Sequence, residues 1–146
     1  MKIYVAAPYN QKALVQSVHA LITALGHEPT SGWAHVAPDE AQATPYTRQL
    51  FALYDLHDLR RATHVLILNV SESTAGGMWV ELGYILHTGV LHPNDPWMAP
   101  TRITLIGPPT NVFCELIERI DLPEDSDGAA FLETVTTAIE QWEPAV

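Results

Sequence analysis

The sequence predicts an α/β fold: a doubly wound, Rossmann-like or flavodoxin-like domain with a largely parallel sheet of about five strands and helices on both faces. Three observations carry this. Short aliphatic and β-branched runs (Lys2–Ala7, Thr63–Val70, Ile103–Ile106) alternate with stretches whose apolar residues recur every three or four positions. The most apolar short run, THVLILNV, passes through small polar residues and two glycines into a helical pattern. No internal repeat, linker or change of composition divides the 146 residues, so residues 1–146 read as one domain large enough to bury an ordinary core.

Lys2 to Ala7 is the first central strand, ended by Pro8. With one lysine and so short an apolar run, MKIYVAAPYN reads as a strand and not as a signal peptide. Pro8, Tyr9 and Asn10 form a loop at the strand's carboxyl end. There Tyr9 either stacks on a ligand or packs on its own helix. Leu14, Val18, Leu21, Ile22 and Leu25 follow at helical spacing, and Gly26 closes that helix. His27–Trp33 holds a short second strand running into a turn. Ala34–Ala43 has no period and reads as a lid or substrate loop, with Trp33 and His35 as candidate pocket residues and packing as the alternative for Trp33.

Thr44 and Pro45 supply the N-cap and first position of a helix reaching about Ala62. Leu50, Leu53 and Tyr54, with Leu56 and Leu59 nearby, predict its buried side. Asp55 and Asp58 stand three apart on one face of its C-terminal half, where acids oppose the helix dipole. Arg60 and Arg61 offer them a local ion-pair cluster.

The strand Thr63–Val70 leads into SESTAGGMWVELGYILHTG. Ser71, Ser73 and Thr74 offer N-cap hydroxyls. Gly76 and Gly77 predict a sharp turn that lets the backbone approach a ligand. From Met78 the pattern is helical, with Met78, Leu82, Ile85 and Leu86 on one face and Gly89 as the stop. Glu81 sits among Trp79, Val80, Leu82 and Gly83. It is either a solvated acid in the early part of the helix or a catalytic carboxylate beside the glycine turn, and periodicity does not choose between the two.

After Gly89, LHPNDPWMAP reads as a loop whose Trp97 and Met98 are candidates for a subunit interface. Ile103–Ile106 is the next strand, ended by GPPTN. Cys114, within NVFCELI, reads as a buried structural thiol. Asp121–Asp127 is an acidic turn, and Ser126 or Asp127 caps a last helix striped by Phe131, Val135, Ile139 and Trp142.

Composition narrows the function. The net charge is −10, with seven Lys and Arg against 17 Asp and Glu, and no basic stripe, which argues against a long nucleic-acid partner. No run approaches the length of a membrane span. One cysteine permits no disulfide within the chain and fits a reducing, cytoplasmic compartment. His57, His64 and Asp58, like Glu81 and His87, match no usual metal-ligand spacing. No GxGxxG or Walker pattern points to a dinucleotide or a nucleoside triphosphate. No cofactor is expected.

The order YVAAPY, then Asp55 in YDLHDLRRAT, then a strand, then GGMWVELGY resembles the nucleoside 2-deoxyribosyltransferase superfamily. That group exchanges bases on deoxynucleosides and includes relatives that hydrolyse nucleotide N-glycosidic bonds. The resemblance runs from about Lys2 to Gly107, most of one domain. It implies that Glu81 in ELG is the nucleophile, that Asp55, seven residues before Ala62, assists the base, and that Tyr9 covers it. It also implies contacts with the sugar or its 5′ substituent from Ser73, Gly76, Gly77 and Met78. Several transferases carry an aspartate six residues before the nucleophile, where this chain has Ala75; Ser73 and Thr74 are approximate counterparts of serines in the nucleotide hydrolases. The implied reaction is cleavage of the N-glycosidic bond of a (deoxy)nucleoside or its 5′-monophosphate, with the sugar passed to another base or to water. A homo-oligomer is implied as well. A neutral nucleoside suits the charge balance better than a phosphorylated one. The alternatives are a non-catalytic binding protein for a nucleotide-like ligand and a structural subunit in which Glu81 pairs with an arginine.

Overall fold

Among the described residues, alternating apolar runs and amphipathic stretches become five strands and five α-helices. These are β1 (Lys2–Ala6), α1 (Lys12–Ala24), β2 (Glu28–Pro29), α2 (Trp33–Val36), α3 (Pro45–Arg61), β3 (His64–Leu68), α4 (Gly76–Leu91), β4 (Arg102–Ile106), β5 (Glu118–Ile120) and α5 (Gly128–Glu140). The computed structural model describes residues 1–36, 44–70, 76–91, 102–110, 112–122 and 127–142. The strands pair in the order β2-β1-β3-β4-β5, every pair parallel. Strand order reverses between β1 and β3, the point at which open α/β sheets bind ligands beyond the carboxyl ends of their strands.

Period-two alternation distributes the core over both faces. Ile3 and Val5 of β1, with Leu66 and Leu68 of β3, pack with Val15, Val18 and Ile22 of α1 and Phe131, Val135 and Ile139 of α5. Tyr4 and Ala6, with Val65 and Ile67, face the other way, onto Leu59 of α3 and Met78, Leu82 and Ile85 of α4. The sheet is therefore covered on both sides, which is why its strands read as nearly unbroken apolar runs.

Most helix signals hold. The Thr44 hydroxyl accepts from the Thr47 N–H at 3.2 Å, with Pro45 at the first position. Asp127, not Ser126, caps α5, accepting from the N–H groups of Ala129 and Ala130 at 3.0 and 2.9 Å. Gly26 takes a left-handed φ of +81° after α1. Cys114 is buried.

Four expectations are corrected. The expected buried side of α3 is only partly buried: Leu53 and Tyr54 are 56% and 62% exposed, Leu50 and Leu56 are half-buried, and Leu59 is the helix's one buried residue. Periodicity reveals a stripe but not what it faces. Gly76 and Gly77 are not a sharp turn but the first two residues of α4, because glycines can adopt helical angles at small cost in a first turn. Gly89 lies inside α4, which continues to Leu91. The first residues of the expected loop at Ala34–Ala43 are helical, in α2; residues 37–43 lie outside the described residues, as do Trp97 and Met98.

The unlocated fifth strand, β5, is short and polar, with the sequence Glu-Arg-Ile at the sheet edge. Side chains reinforce it: the Thr104 hydroxyl donates to Glu118 at 2.9 Å and accepts from the Trp142 indole at 3.2 Å. At the carboxyl edge Gly107 has φ +111°, and a Cβ there would overlap the Asn69 carbonyl oxygen. The Gly107 N–H bonds Ile120, while the Asn69 amide bonds the Pro108 carbonyl at 2.6 Å. Gly107→Ala is expected to cost about 2–4 kcal/mol in urea unfolding. Gly26→Ala, at a site with open space around it, should cost about 1 kcal/mol.

Candidate active site

The side chain of Glu81 is placed by the stripe it interrupts. Met78, Leu82 and Ile85 are buried against the sheet, and Glu81 stands three residues after Met78 and four before Ile85. It therefore shares their inward face, whereas Val80 next to it is 70% exposed. Such a carboxyl needs a partner. Tyr4, wholly buried in the middle of β1, donates its hydroxyl to Glu81 Oε1 at 2.8 Å. Each group satisfies the other: a buried phenol seeks an acceptor, and the carboxyl gains a donor.

Burial pushes the Glu81 carboxyl up to about 8; the Tyr4 bond opposes that rise, and the charge of Asp55 adds to it. Glu81 still keeps a partly exposed rim, so the packed side chains around it, and not complete loss of water, account for its rise. Asp55, half-buried on α3, is raised to about 6, first by burial and then by Asp58. Tyr4 is held well above the ordinary phenol range by burial and then by Glu81, with Asp55 and Asp58 adding to it. Three carboxyls and a phenol from α3, α4 and β1 thus form one electrostatic unit. A pair of carboxyls titrating near 6 and near 8 holds a single proton between those values, mostly on Glu81, whose value is the higher. Such a pair can offer one carboxylate and one carboxylic acid at the same time.

The other expected residues fall as follows. Asp58 accepts from the Gly32 N–H at 3.0 Å. Arg61 turns away from the acids and pairs with Glu28 at 3.1 Å. Tyr9, in a short 3-10 turn, stacks its ring on Trp33, with centroids 6.1 Å apart. The Trp33 indole in turn donates to the Val5 carbonyl at 3.2 Å, fixing the aromatic pair beside β1. His35 bonds His19 at 2.8 Å, and His19 bonds the buried Ser31 at 2.7 Å. Burial and His35 lower His19 to about 4. Met78 gives its side chain to the core. Gly77 is exposed, and the N–H groups of a first helical turn have no partner within the helix. Ser71, Ser73, Thr74 and Ala75 lie outside the described residues. Among the described residues no three His, Cys, Asp or Glu side chains are arranged to hold a metal, and no helix is long and apolar enough to cross a membrane.

Sequence reasoning missed Tyr4. Its signal was a single hydroxyl-bearing residue in an otherwise aliphatic buried strand, a position that demands an acceptor.

No protein-family model matches this chain, and neither does any curated protein. A solved structure does: the 2-deoxyribosyltransferase of the psychrotolerant bacterium Bacillus psychrosaccharolyticus, a biocatalyst for nucleoside synthesis, superposes with a TM-score of 0.60 over 90% of each chain at 19% identity. The fold is that of a 2-deoxyribosyltransferase. The family whose motif order the sequence resembles is thus also the one whose fold the chain shares. The 2-deoxyribosyltransferase fold spans nearly the whole chain, beyond the segment that carries the motifs.

Proposed function

We propose that residues 1–146 form one nucleoside 2-deoxyribosyltransferase-like domain that cleaves the N-glycosidic bond of a (deoxy)nucleoside through Glu81. The observation that carries this reading is a carboxyl seated in an apolar stripe, bonded to Tyr4 and under the charge of Asp55. The reacting form of the pair is the minor one at neutral pH, with the proton moved from Glu81 to Asp55, and in it the ionised Glu81 attacks C1′. The bond from C1′ to the base nitrogen breaks, an ester to Glu81 forms, and the proton of Asp55 passes to the departing base. A second base then displaces Glu81 and returns its proton to Asp55, or water does so and leaves the free sugar. The logic is that of retaining glycoside hydrolysis, one hard displacement divided into two easier ones. Ser73 and the first-turn N–H groups of Gly76, Gly77 and Met78 hold the sugar and its 5′ oxygen, and Tyr9, braced by Trp33, covers the base.

The acidic surroundings of Glu81 favour a neutral nucleoside over a 5′-monophosphate. A cytoplasmic compartment and a homo-oligomer complete the reading. The outward stripe of Tyr46, Leu53 and Tyr54 on α3 supports the oligomer, and light scattering of the purified protein measures its mass.

Purified protein is incubated with mixed nucleosides and 5′-monophosphates, with and without a free acceptor base, and the products are separated by chromatography. Exchange of bases marks a transferase, and free base without exchange marks a hydrolase. Ligand retained without any base release would replace the enzyme reading by that of a binding protein. Tyr4→Phe is expected to slow base release roughly 10- to 100-fold, because Glu81 then keeps its proton more firmly. The same change should move the acid limb of the rate profile to higher pH.

A further inference from the structure

The segment from Ser31 to His35 carries Trp33, and each of its residues is tied down from outside it. Ser31 Oγ accepts from the Val5 N–H at 3.0 Å. The Gly32 N–H donates to Asp58, the Trp33 indole donates to the Val5 carbonyl, and the Gln16 amide donates to the Ala34 carbonyl at 2.7 Å. A helix of four residues such as α2 does not hold its own shape, so these outside bonds set it. His19, on α1, differs from the other anchors because one ring reaches both ends of the segment. Its Nε2 meets Ser31 Oγ at 2.7 Å, and its Nδ1 meets His35 Nε2 at 2.8 Å.

Burial and valence give each bond a direction. Ser31 is wholly buried, and His19 is 6% exposed. Among the described residues the Ser31 hydroxyl bonds only Val5 and His19, and it already accepts from Val5. If His19 Nε2 donated to it as well, the hydroxyl proton would be left in the core without an acceptor. The hydroxyl therefore donates to Nε2. Buried, and with no acid bonded to it, the His19 ring is neutral and carries one proton. That proton sits on Nδ1 and is donated to His35 Nε2. The ring centroids lie 5.1 Å apart, as they do when two imidazoles meet nitrogen to nitrogen, so this bond is close to linear.

We infer that His19 is a positioning residue for the base site: held in its Nδ1–H form by Ser31, it staples Ser31 to His35 and so fixes Trp33, on which Tyr9 stacks. The inference rests on the reading above, in which Tyr9, braced by Trp33, covers the base. His19 takes no part in the bond-making itself.

Nitrogen-detected NMR of isotope-labelled histidine reads the tautomer of each ring, and a scalar coupling across the hydrogen bond joins one ring to the other. Wild-type His19 is expected in the Nδ1–H form and coupled to His35 Nε2. A His19 proton found on Nε2, or no coupling between the rings, overturns the inference. His19→Phe keeps the bulk and removes both bonds. In it the Trp33 indole N–H, identified by its loss in Trp33→Phe, should exchange with solvent about tenfold faster or more. KM for a nucleoside should rise roughly 5- to 20-fold while kcat stays within about twofold, since Glu81 and its partners are untouched. Ser31→Ala is the milder change. It should leave His19 as a mixture of tautomers and raise KM in the same sense. Indole exchange or KM unchanged in both variants overturns the inference. Wild type that releases no base, with tautomer, coupling and indole protection as expected, would instead sink the proposed reaction and leave the staple standing.

Discussion

Replacing Glu81 with alanine is expected to lower base release at least about a thousandfold, the loss typical of a missing nucleophile. The alanine variant also strips Tyr4 of its acceptor, so part of its effect would be structural. Glu81→Gln is the sharper test. The amide oxygen still takes the Tyr4 hydrogen bond and the side-chain volume hardly changes, yet no anion remains to attack C1′. Loss of comparable size in both variants, with binding of a nucleoside analogue preserved in Glu81→Gln, is the outcome the mechanism requires. A Glu81→Gln protein that released base at the wild-type rate would end it. The two variants also divide the roles of Tyr4. If its hydroxyl only fills a packing slot, Tyr4→Phe should match Glu81→Gln in stability and wild type in rate. If it steadies the anion, Tyr4→Phe should be slow.

How far the sequence could be read depended on how each residue was constrained. The aliphatic runs at β1 and β3 are buried on both faces, and such strands announce themselves. The apolar stripes of α1 and α5 also face the core that their spacing predicts. β5 escaped because its place at the edge lets polar residues serve, held by pairing with β4 and by Thr104. The apolar residues of α3 were visible but not which of them face out, since exposed apolar residues such as Leu53 and Tyr54 fit the same period as buried ones. Within the site, periodicity left the surroundings of Glu81 open, and the bond from Tyr4 settles them. The link to Tyr4 crosses 77 positions and belongs to the tertiary fold, not to any local pattern. The same holds for the grip of Asp58 on Gly32, 26 positions away, and for the stacking of Tyr9 on Trp33. Asp55 was selected by resemblance, and burial on α3 now supplies a physical reason for its altered acidity.

A carboxyl kept where it can react should cost the fold stability, and pH exposes that cost. The Glu81 carboxyl ordinarily titrates near 4.5 and is held up to about 8 in the folded chain. The folded state therefore binds this proton more tightly than the unfolded state does. The stability so gained is fully present below the ordinary value and is lost as pH rises through about 8. A shift of this size, allowing for the water that still reaches the carboxyl, corresponds to a swing on the order of 3–4 kcal/mol. Asp55 adds a smaller change of the same sign between its ordinary 3.8 and about 6. His19 opposes both at the acid end: lowered to about 4 by burial, it favours the folded state once pH exceeds the ordinary histidine range. Comparing wild type with Glu81→Gln cancels His19, which titrates alike in both. Urea unfolding at several values from roughly pH 5 to pH 9 should show wild type losing stability while Glu81→Gln loses far less, so that the inactive variant becomes the more stable protein in alkali. Parallel curves would mean that Glu81 is solvated in solution and that its place in the apolar stripe carries no penalty. A penalty that appears together with the loss of base release would tie the two results to one cause: the carboxyl is reactive because the surrounding core makes its charge expensive.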